Sequence, residues 1–268
     1  MPLSKNDLLS IKDFSRLTGI KQSTLRYYDE LGLFSPAARG ENGYRYYSPQ
    51  QMITINSIHL LHDLNMPIRQ ITDIQNNRSP ELMLKVLSDK EDALEAELNN
   101  LERSYNVVRT LKRMIQIGLS SDEGVVETRF FEDLPIAVGP PNDFGSSQYY
   151  YDAFLRFCAE AKQYRIDLRL PVGSMFEDFN SFFSNPTAPT NFFSVDPKGF
   201  DKRPAGKYLS AFQRGYYGET GDIVDRMRAH LIDNGLIPIG PVYNIYLHDE
   251  LSVDDPHNYL LQVTVEVA

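Results

Sequence analysis

The chain of 268 residues has one cysteine, Cys158, and no tryptophan. A single cysteine excludes an internal disulfide and any metal site that takes two thiolates from one chain. Cys158 lies in the stretch FLRFCAEA, which favours a buried thiol on an apolar helix. The sequence also has no apolar run near 18 residues and no signal-peptide pattern, so we expect a soluble cytoplasmic protein with no membrane partner.

Motifs of the common enzyme classes are missing as well. The sequence has no Ser-His-Asp pattern, no phosphate-binding glycine loop and no paired-carboxylate motif. His59 and His62 in HLLH share a helix face, but no third ligand is visible, so we expect surface residues rather than a metal site. We therefore predict a protein that is not an enzyme and that needs neither a cofactor nor a metal.

Charge is distributed unevenly along the chain. The net charge of −9 divides into about +1 over residues 1–118 and −10 over the remainder. An acidic surface repels nucleic acid, so any contact with DNA is expected in the front part of the chain.

Residues 10–31 have the pattern of two short helices joined by a tight turn. The first begins at Ser10, and Thr18-Gly19 separates it from a second helix over residues 22–31. The inward faces are predicted from helical spacing: Ile11, Phe14 and Leu17 in the first helix, and Leu25, Tyr28 and Leu31 in the second. This is the helix-turn-helix pattern, so Gln22, Ser23, Thr24, Arg26 and Tyr27 are expected to point at a DNA groove.

Two tracts of similar composition frame this region, Arg26-Tyr27-Tyr28 and Arg45-Tyr46-Tyr47. Guanidinium forks beside tyrosine rings suit phosphate oxygens and sugar faces. Between the tracts, residues 33–47 are predicted to form two short extended arms around Gly40 and Gly43, which is the shape of a wing.

Residues 80–118 are predicted to form one long helix of about 57 Å. Ser79-Pro80-Glu81 is a start signal, and neither glycine nor proline recurs before Gly118. Apolar residues recur in a heptad stripe: Leu87, Leu94, Leu98, Leu101, Tyr105, Val108 and Ile115, interrupted by Glu91 and Lys112. The stripe predicts a dimerising coiled coil, and the alternative is a single helix that packs on its own domain.

After a polar linker the pattern changes to alternating strands and helices. Strands are predicted over 125–131, 136–138, 170–176, 207–213, 242–248 and 259–267, helices over 148–164 and 222–234, and a proline-rich loop region over 177–205. The order repeats about twice, which predicts an α+β domain built on a pseudo-duplicated sheet.

The run IKDFSRLTGIKQSTLRYYDELGLFSPAARGENGYRYYS resembles the signature of MerR-family transcription regulators, from the first helix to the end of the wing. More weakly, the second half resembles the GyrI-like (BmrR-type) effector-binding domain. That resemblance is carried by Pro204-Ala205-Gly206-Lys207-Tyr208 and by a closing strand pair that begins at Val242-Tyr243. It implies a multi-domain chain: an all-α winged helix-turn-helix domain (1–78), a long antiparallel dimerisation coiled coil (79–118), a linker (119–124) and an α+β GyrI-like drug-binding domain (125–268).

The resemblance also implies partners and a mechanism. A homodimer would bind an inverted repeat in promoter DNA, where Tyr27, Tyr28, Arg45 and Tyr47 would hold the backbone. Effector binding would let the dimer distort an over-long promoter spacer so that RNA polymerase engages both promoter elements.

Aromatic residues are concentrated in the second half, which favours a cage for a bulky hydrophobic or aromatic effector, with or without a positive charge. The predicted ligand-binding residues are Tyr151, Phe154, Phe176, Tyr208, Phe212, Tyr216, Asn244, Tyr246 and Gln262. The resemblance places Asn244 and Gln262 where BmrR-like domains carry glutamates that pair with cationic drugs. Amides cannot neutralise a buried cation, so neutral aromatic ligands become admissible.

Two alternatives stay open for the second half. GyrI-like domains can resemble hydrolases of small hydrophobic compounds, and Glu177 and Asp178 beside Phe176 are the acids to test in that role. The protein could also be a DNA-binding repressor that responds to no ligand.

Overall fold

The computed structural model describes residues 8–142 and 150–268. They divide into two compact units, one ending at Glu97 and the other beginning at Leu98. The division falls inside a single long helix, α5 (Pro80–Leu119). No helix among the described residues is both long enough and apolar enough to cross a membrane.

The first unit contains four short helices, a small sheet and the first turns of α5. Its elements are β1 (Leu9–Ser10), α1 (Ile11–Thr18), α2 (Gln22–Glu30), β2 (Ala38–Arg39), β3 (Arg45–Tyr47), α3 (Gln51–Asp63) and α4 (Ile68–Asn76). Ser10 caps α1 by accepting a hydrogen bond from the Asp13 amide, and Gly19 ends it in the left-handed conformation at φ 74°. The predicted helix-turn-helix is therefore confirmed, and so are the arms of the wing.

Two expectations about this unit are corrected. The domain is not all-α, because β1 pairs with β3 and closes a three-stranded antiparallel sheet in the order β1-β3-β2. Leu17 and Leu31 do not face inward and are 54% and 45% exposed. Leu31 is the C-cap residue of α2, and the chain turns away at Gly32, which takes the left-handed conformation at φ 69°.

The second unit is built on an eight-stranded antiparallel sheet. Its strands are β4 (Val126–Phe131), β5 (Leu134–Pro141), β6 (Val172–Phe176), β7 (Asn191–Ser194), β8 (Asp201–Arg203), β9 (Gly206–Arg214), β10 (Pro238–His248) and β11 (Leu260–Val267). Its helices are α6 (Tyr150–Glu160), α7 (Phe179–Ser184) and α8 (Ile223–Asn234), with a 3-10 turn at Pro256–Asn258. The start of the predicted helix over 148–164, residues 148 and 149, lies outside the described residues.

The strand order β4-β9-β11-β10-β6-β7-β5-β8 confirms the predicted duplication. The series β5-α6-β6-β7 and β9-α8-β10-β11 are both strand-helix-strand-strand. In the sheet they mirror each other as β9-β11-β10 and β6-β7-β5, joined where β10 pairs with β6. The region 177–205, which was expected to be loop, instead contains α7, β7 and β8. Asp178 caps α7, and the buried rings of Phe179 and Phe182 anchor it despite its shortness.

Strand alternation gives the sheet two covered faces. The α5 face carries Tyr208, Phe212 and Tyr243, and packs against Met114 and Ile117 of α5. The α8 face carries the residues that pack against α6, α7 and α8. Gly118 lets α5 approach closely, because a Cβ there would collide with the His248 ring.

Candidate functional site

The exposed side of α2 is the candidate DNA-contact surface. Ser23 and Arg26 are exposed, Tyr27 is half-exposed, and Gln22 and Thr24 are partly buried. This agrees with the helical alternation that turns Leu25 and Tyr28 into the core. Five of the predicted contact residues are therefore on one accessible helix.

Tyr28 and Tyr47 are not brought to this surface, although both were expected to hold the DNA backbone. They are only 2% and 0% exposed. The Tyr47 ring stacks on Phe14, with ring centroids 4.6 Å apart, and also on Phe34. Burial raises the pKa of both hydroxyls. The Tyr47 ring joins the wing to the core, the Tyr28 ring is part of the same core, and neither is available to phosphate.

Arg45 lies in a buried ionic clamp rather than on open surface. Its Nε donates to Oδ2 of Asp29 at 2.6 Å, and Arg39 Nη2 donates to the same oxygen at 2.6 Å. The Asp29 side chain is 2% exposed, whereas that of Arg39 is 52% exposed. We call Asp29, Arg39 and Arg45 the Asp29 clamp. The clamp ties α2 to both arms of the wing and leaves part of the Arg39 side chain exposed to solvent.

Asp29 and Arg39 are residues that sequence reasoning missed. A signal was present, since a carboxylate in the last turn of a helix is disfavoured by the helix dipole unless a cation compensates it. The sequence could not show which cation does so, because Arg26, Arg39 and Arg45 all lie within twenty residues of Asp29. Only the folding of the wing brings Arg39 and Arg45 to Asp29.

The first cavity of the second unit, about 230 Å³, lies on the α5 face. We call it the arginine cavity because Arg109, Arg113 and Arg203 line it. The other lining residues are Thr110, Met114, Ile117, Phe131, Leu134, Pro135, Val195, Pro197, Ile245, Leu247 and Gln262. Gln262 is buried and donates through Nε2 to Ser210 Oγ at 3.3 Å. Of the predicted ligand residues, Gln262 is thus at this cavity.

Tyr208 and Phe212 are on the same face but belong to its packed core. The Tyr208 hydroxyl donates to the Pro204 carbonyl at 2.9 Å. Burial, followed by the charge of Glu266, raises the pKa of Tyr208 to about 12. Neither ring lines the arginine cavity, and both belong to the packed core that includes its lining residues Met114, Ile245 and Leu247.

The second cavity, about 420 Å³, lies beside α6. We call it the tyrosine cavity, because rings dominate its wall. Its aromatic lining is Tyr150, Tyr151, Phe154, Tyr217 and Tyr246, and the remainder is Leu111, Leu168, Arg169, Leu170, Pro171, Val172, Asp249, Glu250 and Leu251. Three predicted ligand residues, Tyr151, Phe154 and Tyr246, are brought together here.

Charge in the tyrosine cavity is negative. Arg169 is already held by Asp167, with Nε–Oδ1 and Nη2–Oδ2 distances of 2.9 and 2.6 Å. Among the described residues, Asp249 forms no such ion pair, and burial raises the pKa of its carboxyl. The Tyr217 hydroxyl donates to Glu250, and burial and this bond raise the pKa of that tyrosine. Rings next to a half-buried carboxylate are a suitable environment for an organic cation.

Hydroxyl contacts hold the cavity rings in place. Tyr246 donates to the Tyr216 carbonyl at 3.0 Å and accepts from the Gly218 amide at 3.0 Å. A hydrogen bond with Tyr216, followed by burial, raises the pKa of Tyr151 to about 12. Tyr216 itself is 38% exposed and lies next to the cavity rather than in its wall.

The remaining two predicted ligand residues lie away from both cavities. Phe176 is buried in the core of the α8 face. Asn244 pairs with Val263 on that face, whereas Gln262 pairs with Ile245 on the α5 face. Because paired residues share a face and neighbours alternate, Asn244 and Gln262 cannot line one cavity.

The side chains considered for metal binding or catalysis have structural contacts. His59 Nδ1 lies 2.8 Å from Asp63 in the next helical turn. Within residues 8–142 and 150–268, no group of three or more metal-ligating side chains is found. Asp178 accepts the Ser181 amide as the cap of α7, and Glu177 beside it is exposed.

Comparison with known proteins bears on the first unit most directly. Residues 9–78 match the model of the MerR HTH family regulatory protein. Over nearly the whole length, the chain is similar to the multidrug-efflux transporter 2 regulator of Bacillus subtilis, with 26% identity over 95% of this chain and 94% of that one. The multidrug-efflux transporter 1 regulator of the same organism is 27% identical over 53% of this chain and 54% of that protein. SkgA, an HTH-type transcriptional regulator of Caulobacter vibrioides, is 29% identical over 57% of this chain and 58% of that protein.

Proposed function

Because this chain belongs to the MerR family of DNA-binding transcription regulators, we propose that it activates a promoter when a hydrophobic organic compound binds its second unit. One observation carries the proposal: the same chain has an accessible recognition helix and a tyrosine-lined cavity with acidic residues. Two similar proteins of Bacillus subtilis are regulators of multidrug-efflux transporters, which supports an organic compound as the effector.

The DNA-binding step uses α2 and the wing. The exposed residues of α2 would enter the major groove, and the Asp29 clamp would hold the wing against the adjacent backbone. Bending and untwisting an over-long promoter spacer costs on the order of 1–10 kcal/mol, which two anchored half-sites and an effector can supply together. RNA polymerase would then engage both promoter elements.

The dimerisation step uses the stripe on α5. Leu98, Leu101, Tyr105 and Val108 are between 63% and 67% exposed within one chain. Apolar side chains in a heptad register are stable when a second helix covers them. A homodimer through this stripe would present two copies of α2 to an inverted repeat.

Arg26→Ala tests the DNA-binding surface. We expect it to weaken binding to the promoter DNA beside the protein's own gene by about tenfold at fixed salt, through loss of an exposed guanidinium from α2. Fluorescence anisotropy measures the affinity, and sedimentation checks that the oligomeric state is unchanged. The control is Arg16→Ala, an arginine of α1 that is also exposed. Equal affinity of Arg26→Ala and the unchanged protein would remove α2 from the interface.

Asp249→Asn tests the tyrosine cavity. We expect 1-naphthylmethylammonium to bind about tenfold more weakly, because the half-buried carboxylate is lost, while neutral 1-naphthalenemethanol keeps its affinity. The raised pKa of Asp249 also predicts a pH dependence. Affinity for the cation should fall as the pH is lowered through that pKa, since protonation removes the negative charge. Calorimetry on the full chain, with exposed Asp254→Asn as control, measures both. If both ligands lose affinity alike, the carboxylate acts structurally and does not pair with the cation.

In vitro transcription from the same promoter, with and without the naphthalene compounds, tests the regulatory step. Activation that depends on a ligand and is lost in Asp249→Asn is the expected result. Promoter binding with no transcriptional response to any ligand would favour a ligand-independent repressor.

A further inference from the structure

The arginine cavity takes no part in the function proposed above, and its chemistry is opposite to that of the tyrosine cavity. Arg203 is 5% exposed and ends β8 with its side chain in the cavity wall. Its Nε is buried without a hydrogen-bond partner among the described residues. A buried guanidinium with an unmet donor is costly, so its presence here calls for a role other than stability.

The immediate neighbours of Arg203 are rings and other cations. Its guanidinium carbon lies 4.6 Å from the centroid of Phe131 and 5.1 Å from that of Tyr208. Burial lowers the pKa of Arg203, the charges of Arg113 and Arg129 lower it further, and Tyr208 and Tyr243 oppose the shift. The rings hold the guanidinium plane in place without neutralising it.

The nearby carboxylates are either paired or do not line the cavity. Asp133 binds Lys202 Nζ at 2.8 Å and the Ala205 amide. Glu266 lies beside Gly206 and Tyr208, at the end of β11, and does not line the cavity. The lining itself includes three arginines and neither aspartate nor glutamate. The field in the arginine cavity is therefore positive.

The rest of the wall is apolar. Met114 and Ile117 of α5 form one side, and Ile245 and Leu247 of β10 lie on the sheet side. The volume of about 230 Å³ is slightly below the usual range of roughly 300–1,000 Å³ for ligand pockets, which limits the occupant to a compact molecule.

We propose that the arginine cavity is a second binding site, specific for a small organic anion with an apolar body. A carboxylate would accept two parallel hydrogen bonds from the Arg203 fork, a geometry that arginine provides and lysine does not. Arg113 at the rim would add a second charge, and the apolar body would lie between α5 and β10. Such an occupant contacts α5 directly, in the helix that carries the dimerisation stripe.

The test uses three probes with one ring system: 1-naphthoate, 1-naphthylmethylammonium and 1-naphthalenemethanol. Calorimetry on the full chain measures each affinity. In the unchanged protein, we expect saturable binding of 1-naphthoate that a saturating concentration of the ammonium probe does not displace. Absence of saturable naphthoate binding, or its displacement by the cation, overturns the proposal.

Variants locate the anion. We expect Arg203→Met to weaken naphthoate binding at least tenfold and Arg113→Gln about threefold, with no change for the ammonium probe. Arg129→Met is the matched control, because Arg129 also lies over the Phe131 ring, at 4.6 Å, but does not line the cavity. Its effect should stay within about twofold.

Arg203→Met should fold, since replacing an uncompensated buried cation with an apolar side chain of similar length removes a desolvation cost. If it fails to fold, Arg113→Gln decides, because Arg113 is exposed. Naphthoate affinity that is unchanged in the foldable variants, or reduced equally by Arg129→Met, contradicts a specific anion site.

Discussion

Replacing Leu98 and Leu101 together by lysine is expected to make the protein monomeric and to lower its affinity for promoter DNA at least about a hundredfold. Both side chains are largely exposed in one chain, at 67% and 66%, so the substitution leaves the core of each unit untouched. Two lysines on each facing helix would place like charges where the stripe requires apolar contact. A monomer then binds one half-site and loses the avidity of roughly 10²–10⁴ that linked sites provide.

Sedimentation velocity gives the oligomeric state, and fluorescence anisotropy on promoter DNA gives the affinity. The matched control is Ala96→Lys with Asn99→Lys, which adds the same charge on exposed positions of α5 outside the stripe. It should remain dimeric and bind DNA at least as well as the unchanged protein. A dimeric double-lysine stripe variant would show that α5 does not mediate association.

Replacing Asp29 by asparagine is expected to have the second largest effect. The substitution removes the only charge that joins Arg39 and Arg45 within the clamp, so the wing loses its anchor to α2. Hydrogen bonds to charged groups contribute about 1.5–3 kcal/mol each, and the exposure of Arg39 reduces its share. We expect a loss of about 2–3 kcal/mol in the free energy of unfolding and of about tenfold in DNA affinity.

The Asp29 clamp also predicts a direction with pH. Burial alone would raise the pKa of Asp29, but the hydrogen bond from Arg45 and the charge of Arg39 outweigh it and hold the pKa below its usual value. A carboxyl with a depressed folded-state pKa stabilises fully above its unfolded pKa of about 3.9 and loses that contribution as pH falls below it. The stability difference between the protein and Asp29→Asn should therefore shrink in acid.

Thermal denaturation between neutral and acidic pH, together with DNA titration, measures both effects. Asp13→Asn is the control, because its ion pair with Arg16 is exposed at the surface and should change stability by less than about 1 kcal/mol. If Asp29→Asn binds DNA normally, the wing does not depend on the clamp for its function.

Local signals explain why much of the first unit was predictable. Ser10 and Gly19 bound α1, and helical spacing directs Phe14 and Leu25 inward, all through residues within a few positions of each other. Helical spacing also placed Tyr28 inward correctly, whereas the family resemblance assigned Tyr28 and Tyr47 to the DNA backbone, because a tyrosine suits phosphate and a core equally well. The stacking of Tyr47 on Phe14 and Phe34 comes from the wing folding back, which no local pattern encodes.

The second unit was predictable in outline only. Periodicity indicated a duplicated α+β sheet, but α7 is too short for a periodic signal and depends on buried rings of Phe179 and Phe182. The choice of cavity depends on strand register. The sequence alone could not show that Asn244 and Gln262 lie on opposite faces of the sheet. In the observed register Gln262 pairs with Ile245, the neighbour of Asn244, and neighbouring residues of a strand point to opposite faces.

By itself, the sequence determined the helix-turn-helix, the heptad stripe, the repeated succession of strands and helices in the second unit and the segregation of charge, because each depends on spacing or composition along the chain. Only the tertiary structure decided that Asp29 holds two arginines and that Arg203 is buried among rings facing a cavity with no acid. It also decided that the rings near α6 surround acidic residues. These arrangements join side chains far apart in sequence, so they exist only once strand pairing and helix packing have brought their charges together.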